Sequence, residues 1–241
     1  MISTKDVQAT SSSPKKTLSP GEHTVKINSI GLESVSYKAG AYHLILNVEG
    51  PDMGSEFEGF LVDKDKPTGP RYKGQIGKVK FGFYPFSDGE TKTGIKISRD
   101  LSILRAVQQL CIAGNKLEWF EEADGKFATI EDFVKAAGTI ISDDTLFNMC
   151  INGKEYEKNG YINYDLFLPK SSKEAYAVES AAASPSKLIS YNPELHIKKA
   201  KVETVASFGD TNPFIVALIN DEVAGYAYSA DFRTRLKQHR F

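Results

Sequence analysis

The strongest constraint on the fold is a two-residue alternation within residues 76–86. Val79, Phe81 and Phe83 occupy one set of positions, and polar or small residues occupy the other. In a half-buried strand, alternation places the apolar set in a core and the second set toward solvent. Residues 76–86 are therefore predicted to form a strand. Its outer face is predicted to carry Lys78, Lys80, Gly82 and Tyr84.

Further β-prone runs lie on both sides of this strand. Strands are predicted over residues 23–30, 41–49, 56–62, 93–98, 146–151 and 161–168. The last two flank an Asn159-Gly160 dipeptide, which is a strong signal for a tight hairpin turn.

Two helical patterns interrupt the strands. Asp100 can cap a first helix, whose apolar face comprises Leu101, Leu104, Val107, Leu110 and Cys111. Thr129 can cap a second helix with Asp132 in the capping-box position, and Gly138 is expected to end it.

This order of elements predicts a mainly β (α+β) fold. Short antiparallel strands interrupted by helices and rejoined later are typical of an OB-fold-like small antiparallel β-barrel with two helices. Other α+β arrangements stay open at this stage.

Composition divides the chain into four predicted segments. Residues 1–19 are polar and aperiodic, which predicts a disordered N-terminal arm. Residues 20–170 hold the predicted barrel, and residues 171–187, rich in Ser and Ala, are typical of a linker. Residues 188–241 form a small C-terminal extension with a predicted hairpin at 213–219 and 223–228 and a basic end.

Several function classes find little support. Cys111 and Cys150 lack the clustered His and Cys partners that a zinc site needs, so no metal or other cofactor is expected. The run around Gly77 and Lys78 lacks the spacing of a P-loop, and no nucleophile-histidine arrangement is present. No segment has the length of a membrane span or a signal peptide. The sequence predicts a cytoplasmic binding protein that is not an enzyme.

Charge is unevenly distributed although the formal net charge is only −1. Residues 71–99 carry seven cations against Asp88 and Glu90, whereas residues 117–132 carry six carboxylates against Lys126. Cations interleaved with aromatic rings are typical of proteins that bind single-stranded nucleic acid. The candidate DNA-binding residues are Tyr37, Lys38, Arg71, Tyr72, Lys73, Lys78, Lys80, Tyr84, Lys92 and Lys96. The ordinary alternative is that these lysines keep a strand solvated and prevent edge pairing.

Three different segments together form a recognisable pattern. They are Pro-Gly-Glu-His at 20–23, Tyr-Lys-Gly-Gln-Ile-Gly-Lys-Val at 72–79, and Gly-Lys-Glu-Tyr at 153–156 with Gly-Tyr at 160–161 and Leu-Phe-Leu-Pro-Lys at 166–170. Together they resemble a group of single-stranded DNA-binding proteins of tailed bacteriophages, including those of crAss-like phages. The resemblance implies an OB-fold core that coats single strands, without sequence specificity, during phage DNA replication or recombination. It also implies phage replication proteins as partners and the host cytoplasm as the location.

The C-terminus departs from that pattern. Many replication-type binders end in an acidic tip with a final aromatic residue, whereas Phe241 here follows Arg233, Arg235, Lys237 and Arg240. A second hypothesis is therefore a phage structural or protein-interaction module that uses a β-barrel and has no preference for single strands. A third hypothesis, with less support, is a metal-dependent nuclease that uses Glu121, Glu122 and Asp124.

Overall fold

The structure is a computed structural model that describes residues 15–51 and 53–199. The strands are β1 (Gly21–Ser34), β2 (Tyr42–Glu49), β3 (Phe60–Leu61), β4 (Arg71–Tyr72), β5 (Ile76–Lys80), β6 (Gly89–Glu90), β7 (Lys96–Ile97), β8 (Leu146–Lys158), β9 (Tyr161–Phe167), β10 (Val178–Ser180) and β11 (Ile197–Lys198). The helices are α1 (Arg99–Ala113), α2 (Leu117–Glu122), α3 (Ile130–Ile141) and α4 (Pro193–His196). Within this part of the chain, no helix is long and apolar enough to cross a membrane.

One seven-stranded mixed sheet dominates the fold. Its pairings run β1–β2–β5–β9–β8, and β8 pairs in turn with β1, so these five strands form a closed circuit of pairings. All pairings in the circuit are antiparallel except β5 with β9. β10 and β11 add to β8, whereas β3–β4 and β6–β7 are separate two-stranded sheets.

The core lies between the strand circuit and the helices. The inner faces of β1, β2 and β5 contribute side chains such as Ile27, Leu46 and Val79, each fully buried. Helix α3 packs against β1, and α1 packs against α3 and β10. The prediction of a mainly β protein is confirmed, but the sheet is mixed rather than purely antiparallel. Four helices are described where the sequence predicted two.

The helix starts follow local capping chemistry. The Thr129 hydroxyl accepts a hydrogen bond from the Asp132 backbone N–H at 3.1 Å, as the capping-box pattern predicted. For α1, Ser98 is the N-cap instead of Asp100, because its side chain accepts from the Leu101 N–H. Gly138 does not end α3; it lies within the helix, where a Cβ would come within 3.3 Å of the Ile30 carbonyl oxygen.

The strand predicted over residues 76–86 is shorter than expected. β5 ends at Lys80, and Gly82 adopts a φ of +92°, a conformation that L-residues other than glycine rarely adopt. The chain bends there and rejoins the sheet only at Phe86, which forms an isolated bridge with Tyr42. Tyr84 is therefore placed by the bend and not by the alternation of the strand.

Order begins earlier than predicted. Thr17 and Leu18, which fall in the predicted disordered arm, contact β5: the Leu18 N–H donates to the Ile76 carbonyl at 2.8 Å. Leu18 is 4% exposed because its side chain fills the space beside Gly77. Residues 1–14 of that arm lie outside the described residues.

The predicted linker over residues 171–187 also differs. It contains β10, which pairs with β8, and Val178 is buried against α1. The apolar Ala-Val pair at 177–178 was too short to register as a strand in the sequence. Of the C-terminal extension, residues 188–199 carry α4 and β11. The predicted hairpin at 213–219 and 223–228 and the basic end lie outside the described residues.

We expect Gly74→Ala to lower the free energy of unfolding by about 1–3 kcal/mol, because the new Cβ has no room. An ideal Cβ at Gly74 would stand 2.2 Å from the Gly50 carbonyl oxygen, a backbone atom that cannot rotate away. Urea denaturation followed by circular dichroism measures the change.

Gly31→Ala is the matched control. Its Cβ would meet no atom within 4 Å, so we expect a change below about 0.5 kcal/mol. Equal stabilities of the two variants would show that the contact between Gly74 and Gly50 does not constrain this loop.

Candidate nucleic-acid interface

The register of β5, β9 and β8 determines which side chains share their outer face. Val79 and Leu166 are partners across the parallel pairing and are both buried, so the residues that alternate with them face outward. From β9 to β8 the outward partners are Asp165 with Lys154, Asn163 with Tyr156, and Tyr161 with Lys158. We define the outer face as Lys78, Lys80, Lys154, Tyr156, Lys158, Tyr161, Asn163 and Asp165.

The β8–β9 hairpin extends this face away from the core. Its turn residues, Asn159 and Gly160, have φ values of +55° and +76°, so the Asn-Gly turn predicted from the sequence is confirmed. Tyr161 is 75% exposed and Tyr156 is 44% exposed. Both rings are thus accessible to a flat ligand.

Lysines accompany these rings. Lys154 and Lys158 are exposed, and the described residues offer neither of them a carboxylate within 4.0 Å. Since Lys154, Tyr156 and Lys158 alternate along β8, two uncompensated cations flank one tyrosine on the outer face. Proteins that bind single-stranded nucleic acid combine such cations, which contact phosphates, with rings that stack on bases.

The two predicted lysines of β5 are compensated by carboxylates. Lys78 Nζ lies 2.5 Å from Glu33 Oε1, and Lys80 Nζ lies 2.5 Å from Asp165 Oδ2. The sequence showed these lysines but not their partners, which come from β1 and β9. Such partly exposed pairs stabilise the fold by only about 0–1 kcal/mol, so an incoming phosphate can compete for the ammonium groups.

His43 lies beside these ion pairs. It is the register partner of Glu33 on β1, and the pKa of its imidazole is lowered from 6.5, first by burial and then by the Lys80 ammonium. Asp165 and Glu33 oppose this shift. At neutral pH, the imidazole of His43 beside the outer face is therefore neutral.

A second group of predicted residues surrounds the end of β5 near Gly82. Lys38, in the turn between β1 and β2, donates from Nζ to the Ser87 hydroxyl at 2.7 Å. This bond holds that turn, with the 76%-exposed Tyr37, against the segment that carries Tyr84. Tyr84 is 75% exposed, and its ring meets Phe83 edge to face with 4.8 Å between centroids.

Lys198 adds a cation to this group that the sequence did not suggest. Its Nζ lies 3.5 Å from the centroid of the Phe83 ring and 5.8 Å from that of Tyr84. Lys92 and Lys96 belong to the β6–β7 hairpin, which follows this segment in the sequence, and both are exposed. Neither forms an ion pair with another described residue.

The third group lies at the opposite end of β5. Arg71 donates from Nη1 to the Gly59 carbonyl at 2.9 Å, and Lys73 is exposed. The Tyr72 ring packs on Phe60 with 5.6 Å between centroids, so it contributes to packing and is not free to stack. The predicted residues therefore do not form one cluster. Tyr37, Lys38 and Tyr84 lie toward one end of β5, Arg71, Tyr72 and Lys73 toward the other, and Lys78 and Lys80 on the strand itself, whereas Lys92 and Lys96 belong to the separate β6–β7 sheet.

Sequence reasoning missed the lysines of the hairpin. Lys154 and Lys158 belong to a Lys-Glu-Tyr-Glu-Lys run at 154–158. The alternation of this run would have predicted both lysines and Tyr156 on one strand face, but the strand was predicted to end at residue 151. The hairpin strands also carry three aromatic residues, Tyr156, Tyr161 and Phe167. Phe167 is only 4% exposed and packs against Phe83, so it is excluded as a stacking surface.

Among the described residues, no group of three or more His, Cys, Asp or Glu side chains is arranged to hold a metal ion. Burial raises the pKa of both Cys111 and Cys150 to about 11, which keeps these thiols protonated at neutral pH.

Comparisons with family models, curated proteins and solved structures find no match to this chain. The geometry of the outer face and the residues themselves therefore carry the functional argument.

We expect the pKa of His43, measured by NMR titration, to lie below 6.5 and to rise in Lys80→Gln, because removing the ammonium eases protonation of the ring. Lys92→Gln serves as the control and should leave the pKa unchanged. A His43 pKa unaffected by Lys80→Gln would contradict the proposed coupling.

The lowered pKa of His43 should also make the free energy of unfolding depend on pH. Because the unfolded chain has the ordinary pKa, it binds the proton more readily than the folded chain. The contribution of His43 therefore lowers the free energy of unfolding as the pH falls through 6.5 and on through its lowered folded-state pKa. Urea denaturation at several pH values, compared with His43→Gln, measures this contribution.

Proposed function

We propose that this protein binds single-stranded DNA without sequence preference through the outer face, and that residues 20–170 form an OB-fold barrel. The observation that carries the proposal is the β8–β9 hairpin, where the exposed rings of Tyr156 and Tyr161 lie on one face with the uncompensated Lys154 and Lys158.

The strand order supports the fold assignment. An OB-fold is a five-stranded, partly open Greek-key barrel whose second and third strands and connecting loops contact oligonucleotides. The circuit β1–β2–β5–β9–β8 has five strands, and helices α1–α3 lie between its third and fourth strands in chain order. In this correspondence the second and third strands are β2 and β5, and the β8–β9 hairpin contains the loop between the fourth and fifth.

Stacking accounts for affinity without sequence readout. Every base has an aromatic face, so an exposed tyrosine can hold any base at about 1–3 kcal/mol. Tyr156, Tyr161 and Tyr84 offer such rings, and Tyr37 offers another beside the β1–β2 turn. Single strands are favoured because paired bases cannot present their faces to these rings.

Contacts between lysines and phosphates account for the rest of the affinity. Lys154 and Lys158 are free to pair with phosphates directly, whereas Lys78 and Lys80 must exchange a carboxylate for a phosphate. We therefore expect the hairpin lysines to contribute more to the salt dependence than the β5 lysines. The resemblance to phage proteins suggests a role for this binding in coating strands during replication or recombination.

The test is fluorescence anisotropy of labelled oligo-dT across a salt series, with duplex of equal length as competitor. We expect Tyr156→Ala and Tyr161→Ala each to weaken binding by about 5-fold to 150-fold, the equivalent of one lost stack. We expect Lys154→Gln with Lys158→Gln to reduce the slope of log K against log salt by about 1.4, since each phosphate contact contributes about 0.7.

Lys135→Gln with Lys173→Gln removes two exposed cations outside the outer face, so this matched control should change neither the affinity nor the slope. Absence of binding at low salt would refute the proposal and favour the interaction module. Equal binding of duplex would refute strand preference. Cleavage of the oligonucleotide after addition of magnesium or manganese would favour the nuclease.

A further inference from the structure

A groove of about 600 Å³ lies between α1 and the α2–α3 turn, among helices that the proposed DNA site does not use. One wall is a face of α1 that includes Leu101, Leu104 and Arg105. The other wall is formed by Phe120, Phe127 and the intervening turn. Its volume lies within the range of about 300–1,000 Å³ usual for ligand pockets.

Aromatic side chains form the floor of the groove. Phe133, from the first turns of α3, is 6% exposed and lies edge to face with Phe120 and Phe127, at centroid distances of 5.9 and 5.7 Å. Phe120 and Phe127 are only partly buried. This arrangement leaves aromatic surface facing the groove.

Leu101 shows that the groove is incompletely filled. The helical pattern of the sequence predicts this residue on the buried face of α1, yet it is 46% exposed beside the groove. Leu104, one turn later, is also only partly buried. The apolar face of α1 therefore continues past the core into a surface that a further apolar side chain can cover.

The rim of the groove is acidic. Asp100, Glu121 and Asp124 line it against a single cation, Arg105. Asp100 pairs with Arg99, whereas Glu121 and Asp124 are exposed and form no ion pair with any described residue. The two free carboxylates lie at the α2–α3 turn, on the side opposite Arg105.

We propose that this groove binds a basic peptide segment of a partner protein, with an aromatic or leucine side chain inserted between α1 and the α2–α3 turn. Apolar surface at the base of the groove favours the inserted side chain, and the free carboxylates of Glu121 and Asp124 select flanking Lys or Arg residues. An acidic peptide or a nucleic acid meets like charge at the same rim.

The inference is independent of DNA binding. The residues that form the groove lie on α1, α2 and α3, whereas the outer face lies on β5, β9 and β8. A partner that binds the groove therefore need not compete with a strand bound on the outer face. The groove gives a strand-coating protein a means of recruiting a basic partner.

The test uses the full chain and three fluorescein-labelled synthetic peptides in anisotropy titrations. The probe is Lys-Arg-Phe-Lys-Leu-Arg-Lys. One control has its Phe and Leu replaced by Ser, and the other has every cation replaced by Glu. We expect the probe to bind at least 10-fold more tightly than either control peptide, because only the probe satisfies both the apolar floor and the acidic rim.

Two variants locate the binding. Glu121→Lys with Asp124→Lys changes only exposed side chains, and it should weaken binding of the probe at least 10-fold while leaving oligo-dT affinity unchanged. Leu101→Ala should weaken binding of the probe about 3-fold or more. Glu56→Lys with Glu174→Lys changes two exposed acids outside the groove by the same total charge, so this charge-matched control should have little effect.

Each opposite result overturns the inference. Equal binding of the probe and the serine peptide would show that no side chain enters the groove. Equal effects of the control pair Glu56→Lys with Glu174→Lys and of the groove pair Glu121→Lys with Asp124→Lys would show only diffuse charge attraction. Failure of the probe to bind, while the same preparation still binds oligo-dT, would reject the groove without affecting the proposed DNA site.

Discussion

The whole sheet depends on β1 pairing with two partners at once. Its first residues pair with β8 and its later residues pair with β2, and the two pairings meet at Lys26. Directly after this point, the register with β2 shifts between Ile27 and Ser29. A bulge of this kind bends a strand and increases its twist. The bend allows the first part of β1 to pair with β8 and the later part to pair with β2.

Closing the circuit has energetic and geometric consequences. The five strands of the circuit leave few exposed edges, because β1, β2, β5, β9 and β8 each have two neighbours in it. One side of the circuit holds the buried residues that meet α1 and α3. The opposite side carries the outer face, together with buried residues such as Ile45 and Phe167. The long β8 begins beside β1 and ends in the hairpin with β9, so it connects the core directly to the exposed tyrosines.

Charge compensation divides the outer face into two parts. Near the core, the lysines of β5 are paired with Glu33 and Asp165, and His43 is held toward its neutral form. On the projecting hairpin, Lys154 and Lys158 have no such partners within the described chain. The attraction for an anionic strand is therefore concentrated where the tyrosines are exposed, although the net charge of the chain is only −1.

Local sequence signals specified individual strands, helix starts and turns. Alternation placed Val79 in the core, Thr129 and Asp132 specified the start of α3, and Asn159-Gly160 specified the hairpin turn. Each of these signals acts within a few residues, through side-chain direction, capping or backbone conformation. That a strand would carry Lys78 on its solvent face was predictable for the same reason.

The contacts of each exposed residue depend instead on long-range packing. Lys80 and Asp165 are 85 positions apart in sequence and 2.5 Å apart in space, so no local pattern could show that this cation is compensated. The same holds for Tyr72, whose ring packs on Phe60, and for Gly138, whose place within α3 depends on the close approach of Ile30. Local signals specify which face a residue occupies, but its neighbours there come from distant segments brought together when β1 pairs with both β2 and β8.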